Sequence, residues 1–131
     1  MKKFLLTIIL GLSLIGCSSL RKLPNREFLG NQYTLASASK DYKISLQFAE
    51  ENFFGFAGVN NYFGKYQVEG NTLKFGAIGA TMMSGPTKAM NAEMDYLDNL
   101  EKVNSFYFEN GQLILQTTDG KKLLFNKIEK P

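Results

Sequence analysis

Four of the twelve acidic side chains of this 131-residue chain, which could do acid–base chemistry, lie in one segment, residues 87–103. Four carboxylates lie there: Glu93, Asp95, Asp98 and Glu101. Two acids can divide general acid and base work only if both face one site. At about 100° per residue along a helix, Glu93 and Asp95 lie on different faces, while Asp98 and Glu101 belong to the polar side. The segment therefore offers Glu93 alone as an acid on an apolar face.

An acid in that position has two interpretations. It either accepts hydrogen bonds inside the protein or works as a catalytic acid at the edge of a cleft. The chain has no histidine and a single cysteine, so the usual nucleophile–base pairs and zinc ligands are lacking. We therefore expect a protein that is not an enzyme, with no catalytic residue. Glu93 is expected to be structural, bonded to donors among Asn60, Asn61, Thr81 and the backbone around them.

Neither a cofactor nor a metal site is expected. Gly76 and Gly79 lack the spacing and the following Lys-Ser/Thr of a phosphate-binding loop. Four thioethers lie close along the chain and can bind a soft metal, but methionine in such a position more often fills gaps in a core. Core packing is therefore the expectation for these side chains, which are Met82, Met83, Met90 and Met94.

The single cysteine, Cys17, follows the features of a lipoprotein signal. Lys2 and Lys3 precede an apolar run, residues 4–15, that is too short to span a bilayer. The run ends in Leu-Ile-Gly-Cys, the pattern in which the cysteine sulfur is acylated before cleavage. A buried free cysteine in a core helix is the alternative. We predict a signal peptide over residues 1–16 and lipidation of Cys17.

The predicted mature chain is lipid-anchored and nearly neutral. Cleavage removes 16 of 131 residues and leaves 115; it also removes Lys2 and Lys3, so the formal charge falls from +3 to +1. A formal charge this close to zero gives no electrostatic reason to expect nucleic-acid binding. Several acyl chains together hold a protein at a membrane far better than one.

The position after the lipidated cysteine bears on location. In bacteria with two membranes, Asp there commonly retains lipoproteins in the inner membrane, and this chain has Ser18. We expect an outer-membrane protein facing the periplasm, or one on the cell surface if the source has a single membrane. Residues 17–27 are interpreted as a tether, whose Arg21, Lys22 and Arg26 either contact anionic headgroups or are simply solvated.

Residues 28–131 are expected to form one domain, beginning with short strands. Residues 32–37 form the first, and residues 42–48 alternate without a break, which places Tyr42, Ile44, Leu46 and Phe48 in the core. Residues 52–57 hold three phenylalanines, which predicts burial on both faces or a bulge at Gly55. Residues 62–68 and 72–75 form a hairpin about Glu-Gly-Asn.

One amphipathic helix is predicted over residues 87–103, where the hydrophobic period changes to that of a helix. Ser84 can cap it, with Pro86 near its first turn. Strands then return about Asn110-Gly111 and Asp119-Gly120, two dipeptides suited to two-residue turns, so a three-strand meander closes the chain. Strands, one helix and strands again indicate an α+β fold. We expect about eight short strands in a curled antiparallel sheet, an open half-barrel, with the helix packed on it.

The stretch 58–85 resembles the signature of the META domain, also called the HslJ-like domain. That signature has Gly-Cys-Asn-x-[Tyr/Phe]-x-Gly followed by Thr-x-Met-[Ala/Ser]-Cys, and a Glu-x-x-[Tyr/Phe]-Leu-x-x-Leu segment on the helix. The matching residues are Gly58, Asn60, Tyr62, Gly64, Thr81, Met83 and Glu93.

This resemblance implies a half-barrel with one helix, attachment as an envelope lipoprotein, an association with heat or envelope stress, and no established catalytic activity. It also implies a disulfide between the turn at Asn60 and the start of the helix. This chain lacks that bond, because Val59 and Gly85 stand where many relatives carry paired cysteines. If those cysteines map onto these positions, the two Cα atoms should lie within about 7 Å of each other.

Two function classes remain open from the sequence. The first is a non-enzymatic envelope lipoprotein that binds a protein or envelope component and supports stress tolerance. The second is a carrier of a small apolar ligand, with Tyr62, Tyr66, Phe54 and Phe56 lining the concave face. A filled interior favours the first class, and an open cavity favours the second.

Replacing Cys17 tests the predicted anchor. Cys17→Ala should block lipidation and release or misroute the protein while the domain stays folded, because the cysteine lies outside the domain. Membrane fractionation and the mass of the mature chain measure this, with Ser18→Ala as a neighbouring control. Membrane association as tight as that of the parent would contradict the lipoprotein interpretation.

Overall fold

A computed structural model describes residues 29–129 of the protein. The predicted signal peptide, Cys17 and the tether lie outside the described residues. Within residues 29–129, no helix combines the length and the apolar character needed to cross a membrane. The described part holds nine strands and one helix: β1 (Gln32–Leu35), β2 (Ser45–Phe48), β3 (Asn52–Phe56), β4 (Asn61–Glu69), β5 (Thr72–Phe75), β6 (Gly79–Ala80), α1 (Thr87–Glu101), β7 (Val103–Glu109), β8 (Gln112–Thr117) and β9 (Lys122–Ile128).

The strands close into a barrel, so the predicted open half-barrel is wrong in its closure, although the α+β class and the single helix are right. The sheet order is β3-β2-β1-β9-β8-β7-β5-β4-β6, and β3 also pairs with β4. Eight strands thus complete the ring, and β6 is an additional short strand beside β4. All the pairings in the registers of these strands are antiparallel.

Two connections complete the closure. The nine-residue strand β4 pairs with β3 along its first half and with β5 along its second half. The β5–β7 seam is narrow: Thr72 pairs with Ser105, and the Phe106 N–H donates to the Asn71 carbonyl at 3.0 Å. Helix α1 packs against β5.

Gly64 is required where β4 passes from β5 to β6. Tyr66 pairs with Phe75, and Phe63 pairs with Gly79. The two pairs are thus three residues apart along β4 but four residues apart along the segment that faces it. The extra residue brings the Ala77 carbonyl close to β4. A Cβ on Gly64 would lie 2.6 Å from that oxygen and 2.7 Å from the Phe53 ring, which leaves space for no side chain.

The helix differs from its prediction at both ends. It begins after Pro86 without a side-chain cap, so the predicted Ser84 cap is wrong. It ends at Glu101, since Val103 already begins β7. The side chains that the helix buries are Ala89, Glu93, Tyr96, Asn99 and Leu100.

The interior of the barrel is filled by side chains from the strands and the helix. The largest fully buried groups include Tyr33, Phe53, Tyr62 and Phe125, and aromatic pairs such as Phe53 with Phe75 meet edge to face at 4.8 Å between centroids. Such pairs contribute roughly 0.5–1.5 kcal/mol beyond the area they bury. The core therefore has the dense packing of a protein interior.

Strand alternation holds in places and fails in others. Ile44, Leu46 and Phe48 are buried as predicted, but the strand begins at Ser45 and Tyr42 lies half-buried in the preceding loop. On β3 the burial of both faces was a wrong prediction, because Phe53 is buried and Phe54 is 41% exposed. Gly55 pairs regularly with Tyr62, so no bulge interrupts the β3–β4 ladder there.

The C-terminal meander β7-β8-β9 is confirmed. Its first turn is the predicted two-residue one: Glu109 pairs with Gln112, and Asn110 and Gly111 have φ of 52° and 79°. Its second turn is longer than predicted. The Thr117 N–H donates to the Lys121 carbonyl at 2.9 Å, so three residues separate them.

The alternating strand directions give the barrel two distinct ends. At one end, which we call the entry end, Leu29 enters beside Phe48 and β9 finishes, next to the turns at residues 49–51, 70–71 and 110–111. The opposite end carries the loops at residues 36–44, 57–60, 81–86 and 118–121. The start of α1 belongs to this second end.

Candidate functional site

The site begins with a sharp turn between β3 and β4. The Ala57 N–H donates to the Asn60 carbonyl at 2.8 Å, and Gly58 has φ of +122°, a conformation that side chains rarely adopt. A Cβ at Gly58 would also lie 3.3 Å from the Ala89 carbonyl of α1. Glycine therefore lets the turn and the first part of the helix approach each other.

The carboxylate of Glu93 connects the helix to this turn. Its Oε1 accepts the backbone N–H of Val59 at 3.0 Å and that of Asn60 at 2.6 Å. Its Oε2 accepts the side-chain amide of Asn60 at 2.7 Å. Glu93 is only 6% exposed, so three N–H groups replace the water that burial removes.

The side chain of Asn60, itself 3% exposed, extends the network to the loop before the helix. Its Oδ1 accepts the Met83 N–H at 2.6 Å and the Thr81 hydroxyl at 2.9 Å. Its Nδ2 donates to the Met83 carbonyl at 3.1 Å as well as to Glu93. One amide thus uses both its oxygen and its nitrogen to hold a helix and a loop in place.

Thr81 fastens the start of that loop to β4. Its N–H donates to the Asn61 carbonyl at 3.0 Å, and its Oγ1 accepts the Asn61 N–H at 3.2 Å. We call residues 81–86 the platform. They lie outside helix and strand and are all exposed, yet hydrogen bonds fix the backbone at Thr81 and Met83.

The platform carries the most exposed apolar side chain among the large hydrophobic residues of the described chain. Met82 is 93% exposed and Met83 56%, while Met94 on α1 is 63% exposed. The prediction that these methionines fill gaps in the core is therefore wrong for all three; only Met90 is partly buried. No pattern in the sequence separates an exposed thioether from a buried one, because methionine suits both surroundings.

Tyr62 belongs to the core and not to the platform. Its hydroxyl donates to the Ser45 carbonyl at 2.5 Å and lies 2.6 Å from the hydroxyl of Tyr96. Burial raises the pKa of both phenols, and for Tyr62 the neighbouring Tyr96 adds to the effect. Both side chains thus remain neutral at ordinary pH, and their hydroxyls connect the sheet to the helix through hydrogen bonds.

The four aromatic residues expected to line a small-ligand pocket do not share one concave face. Phe54, Phe56 and Tyr62 border a shallow depression of about 290 Å³ beside β3 and β4, whereas Tyr66 does not. Tyr62 and Tyr66 are buried in the packed interior, whereas Phe54 lies on the outer face of the barrel, opposite Phe63 in β4. A separate cleft of about 380 Å³ opens beside the β1–β2 loop. It is lined by Thr34, Leu35, Ala38, Ser39, Tyr42, Lys43, Ile44 and Ile128.

The arrangement limits the chemistry that Glu93 can perform. Both of its oxygens already accept N–H groups, and its burial keeps bulk water and substrates away. A general acid or base needs access to the proton that it transfers. Across residues 29–129, no three His, Cys, Asp or Glu side chains come together as metal ligands.

The fold and the site define a small antiparallel barrel whose helix α1 is bonded to two loops at one end. The chain belongs to the META domain family, whose family model matches residues 25–130. The resemblance in the sequence motifs is thereby confirmed. No curated protein matches the sequence significantly.

Solved structures share the fold. An NMR structure of a protein from Burkholderia xenovorans is similar with a TM-score of 0.69 at 20% identity, over 95% of this chain and 96% of that chain. A second NMR structure has a TM-score of 0.62 at 16% identity, over 80% of this chain and 95% of the other. A crystal structure of a DUF4847 family protein from Bacteroides vulgatus ATCC 8482 has a TM-score of 0.51 at 17% identity, over 67% and 61% of the two chains. At these identities the likeness concerns the fold alone.

Val59 and Gly85, where the family motif implies paired cysteines, face each other across the site. A Cβ built on Gly85 would lie 3.5 Å from the Cβ of Val59. Disulfides span Cβ separations of roughly 3.5–4.5 Å. Here the Val59 methyl groups occupy the space instead, 2.9–3.0 Å from that same position.

This geometry predicts that Val59→Cys combined with Gly85→Cys will form a disulfide in air. Linking the turn to the platform should stabilise the domain by about 2–4 kcal/mol. Loss of free thiols and thermal melting with and without reductant measure both effects. The two single variants are the controls, and thiols that stay free in the folded double variant would contradict the alignment of the motifs.

Substitution of Glu93 tests the network. Glu93→Ala leaves three buried donors without their acceptor and should cost about 3 kcal/mol or more. Glu93→Gln keeps one oxygen but turns an amide nitrogen toward the Asn60 amide, so it should cost less, about 1–2 kcal/mol. Denaturant unfolding measures both.

Glu101→Ala serves as the control, because this exposed acid on the same helix should change stability by about 0.5 kcal/mol at most. If both Glu93 variants unfold like the parent but lose binding to an envelope partner, Glu93 is a binding residue and its structural role is refuted.

Proposed function

We propose that this META-domain protein is a non-enzymatic, lipid-anchored protein of the bacterial cell envelope. In this proposal the platform binds a protein or another envelope component, and the binding supports tolerance of heat or envelope stress. The anchor is the acylated Cys17, and the domain faces the periplasm from the outer membrane, or the exterior in an organism with one membrane. The observation that carries the proposal is a loop that is held by hydrogen bonds and displays an exposed apolar side chain.

The cost of binding supports this role for the platform. A loop that must become ordered on binding loses part of its affinity, about 0.5–1.5 kcal/mol for each flexible side chain that is immobilised. The bonds from Asn60 to the backbone of Met83 hold the loop in one conformation before any partner arrives. Met82 is nevertheless left 93% exposed, so the apolar surface it would bury against a partner is still available.

The position of the anchor supports the same role. Eleven residues separate Cys17 from Leu29, so the tether spans at most about 40 Å. The chain enters the barrel at the end opposite the platform. In the proposed arrangement the platform therefore lies at the end of the barrel farther from the point where the tether attaches.

The proposal assigns no enzymatic role, and the groups at the platform support this. Both oxygens of Glu93 accept hydrogen bonds, and the platform itself offers one hydroxyl from Thr81, already bonded to Asn60, and one from Ser84. Neither hydroxyl has a histidine to activate it, since the chain contains none. Recognition of a partner is the role that these residues fit.

Site-specific photocrosslinking in intact envelopes tests the proposal. A photoreactive residue at Ser84, which is exposed on the platform, should yield a discrete crosslinked species. The same residue at Glu109, exposed at the entry end, should not. Met82→Asp should reduce the Ser84 yield severalfold, because a charge replaces an apolar contact, and Met82→Leu should reduce it less. Equal yields at the two positions would contradict the assignment of the platform as the binding surface.

A further inference from the structure

The methionines of the chain are strongly clustered. Apart from Met1, every methionine lies between residues 82 and 94, on the platform or on the first two turns of α1. They form a graded series of exposure at one end of one small barrel. Met82 is 93% exposed, Met94 63% and Met83 56%, while Met90 is partly buried.

We propose that Met82 is a reversible oxidation site that controls the platform. Oxidation converts its apolar thioether into a polar sulfoxide and so weakens the apolar contact with the partner. The regulatory part of this inference rests on the proposed function, because it acts on the same surface. The oxidant class is a peroxide, and the chemistry requires no group from the protein besides the sulfur.

The reaction balances with peroxide alone. A lone pair of the Met82 sulfur attacks one peroxide oxygen, an S–O bond forms and the O–O bond breaks. The sulfur loses two electrons to the oxidant. With hydrogen peroxide, the departing oxygen keeps its own hydrogen, takes up the proton released from the oxygen bonded to sulfur, and leaves as water. A sulfoxide reductase reverses the change with electrons from a thiol, which makes the modification a switch and not permanent damage.

The fold should survive oxidation of Met82. Sulfoxide formation damages proteins when the methionine packs in a core. At 93% exposure the Met82 side chain contributes little packing. The hydrogen bonds that fix the platform use the backbone of Met83 and the side chains of Asn60 and Thr81, so a sulfoxide on Met82 leaves them in place.

The hydrogen bonds of the platform also explain why Met82 should be oxidised before the other methionines. The backbone of Met83 is drawn toward Asn60 by two hydrogen bonds, and its side chain is less exposed than that of Met82. Met90 lies on the helix and is partly buried. Since oxidation follows access to the sulfur, the folded protein should be oxidised in the order Met82, then Met94 and Met83, then Met90.

Mass spectrometry of the mature protein under limiting hydrogen peroxide tests this order. Met82 should react at least about threefold faster than Met90, and the four rates should converge in denaturant, where the fold no longer protects any of them. After conversion of Met82, the melting temperature should stay within about 2 °C of its starting value, because the network is intact. Methionine sulfoxide reductases should restore the original mass.

Met82 reacting no faster than Met90, or a large loss of melting temperature on its conversion, would overturn the inference. These measurements need no partner, so they are independent of the proposed function. Failure of the Ser84 crosslink would refute the proposed function and leave the order of oxidation to be judged separately.

The regulatory step has its own measurement. The Ser84 crosslinking yield should fall at least about threefold after peroxide treatment and recover after reductase treatment. In Met82→Leu, compared with itself before and after peroxide, the yield should change by less than about 1.5-fold, because leucine has no sulfur to oxidise. A wild-type yield that persists with Met82 fully converted would overturn the regulatory role.

Discussion

The buried carboxylate of Glu93 is the constraint on which the functional end of the barrel depends. Burying a charged group without partners costs several kcal/mol, so its position is tolerated only with all three N–H donors in place. Two of those donors come from the backbone of the β3–β4 turn and one from the side chain of Asn60. Asn60 then fixes Met83 of the platform. The helix, the turn and the loop therefore adopt their positions together, and the precise display of the surface depends on one acid.

The sequence allows most individual elements of this fold to be predicted, because alternation and turn chemistry are local signals. The C-terminal meander follows from the spacing of Phe106, Leu113 and Phe125 and from Asn110-Gly111 between its first two strands. The sequence does not predict that the barrel closes. Closure depends on pairing between strands that are distant in the chain, such as Thr72 with Ser105 and Leu35 with Phe125. Periodicity shows which face of a strand is buried but not which strand lies beside it.

Part of the candidate site can likewise be predicted from the sequence, and part cannot. Glu93 is conspicuous in the sequence because an acid interrupts an apolar helix face, and the groups that donate to it include Asn60, one of the expected partners. The exposure of Met82 is not conspicuous, since methionine is common both in cores and at binding surfaces. Phe54 was misplaced for a related reason. Three aromatics in a short span raise the expectation of burial, whereas the pleat of β3 places Phe53 and Phe54 on opposite faces regardless of their hydrophobicity.

The pairing of β1 with β9 has a consequence for how the barrel folds. The first strand has the last strand as its neighbour, and Phe125 of β9 completes the buried interior. Until that last segment is available, β1 and β8 each lack a partner along one edge and the interior remains open to water. Such long-range closure makes folding slow relative to a helical protein of the same length. The exposed edges are then the surfaces most prone to pair with other chains, so the C-terminal strand protects the newly made protein from aggregation.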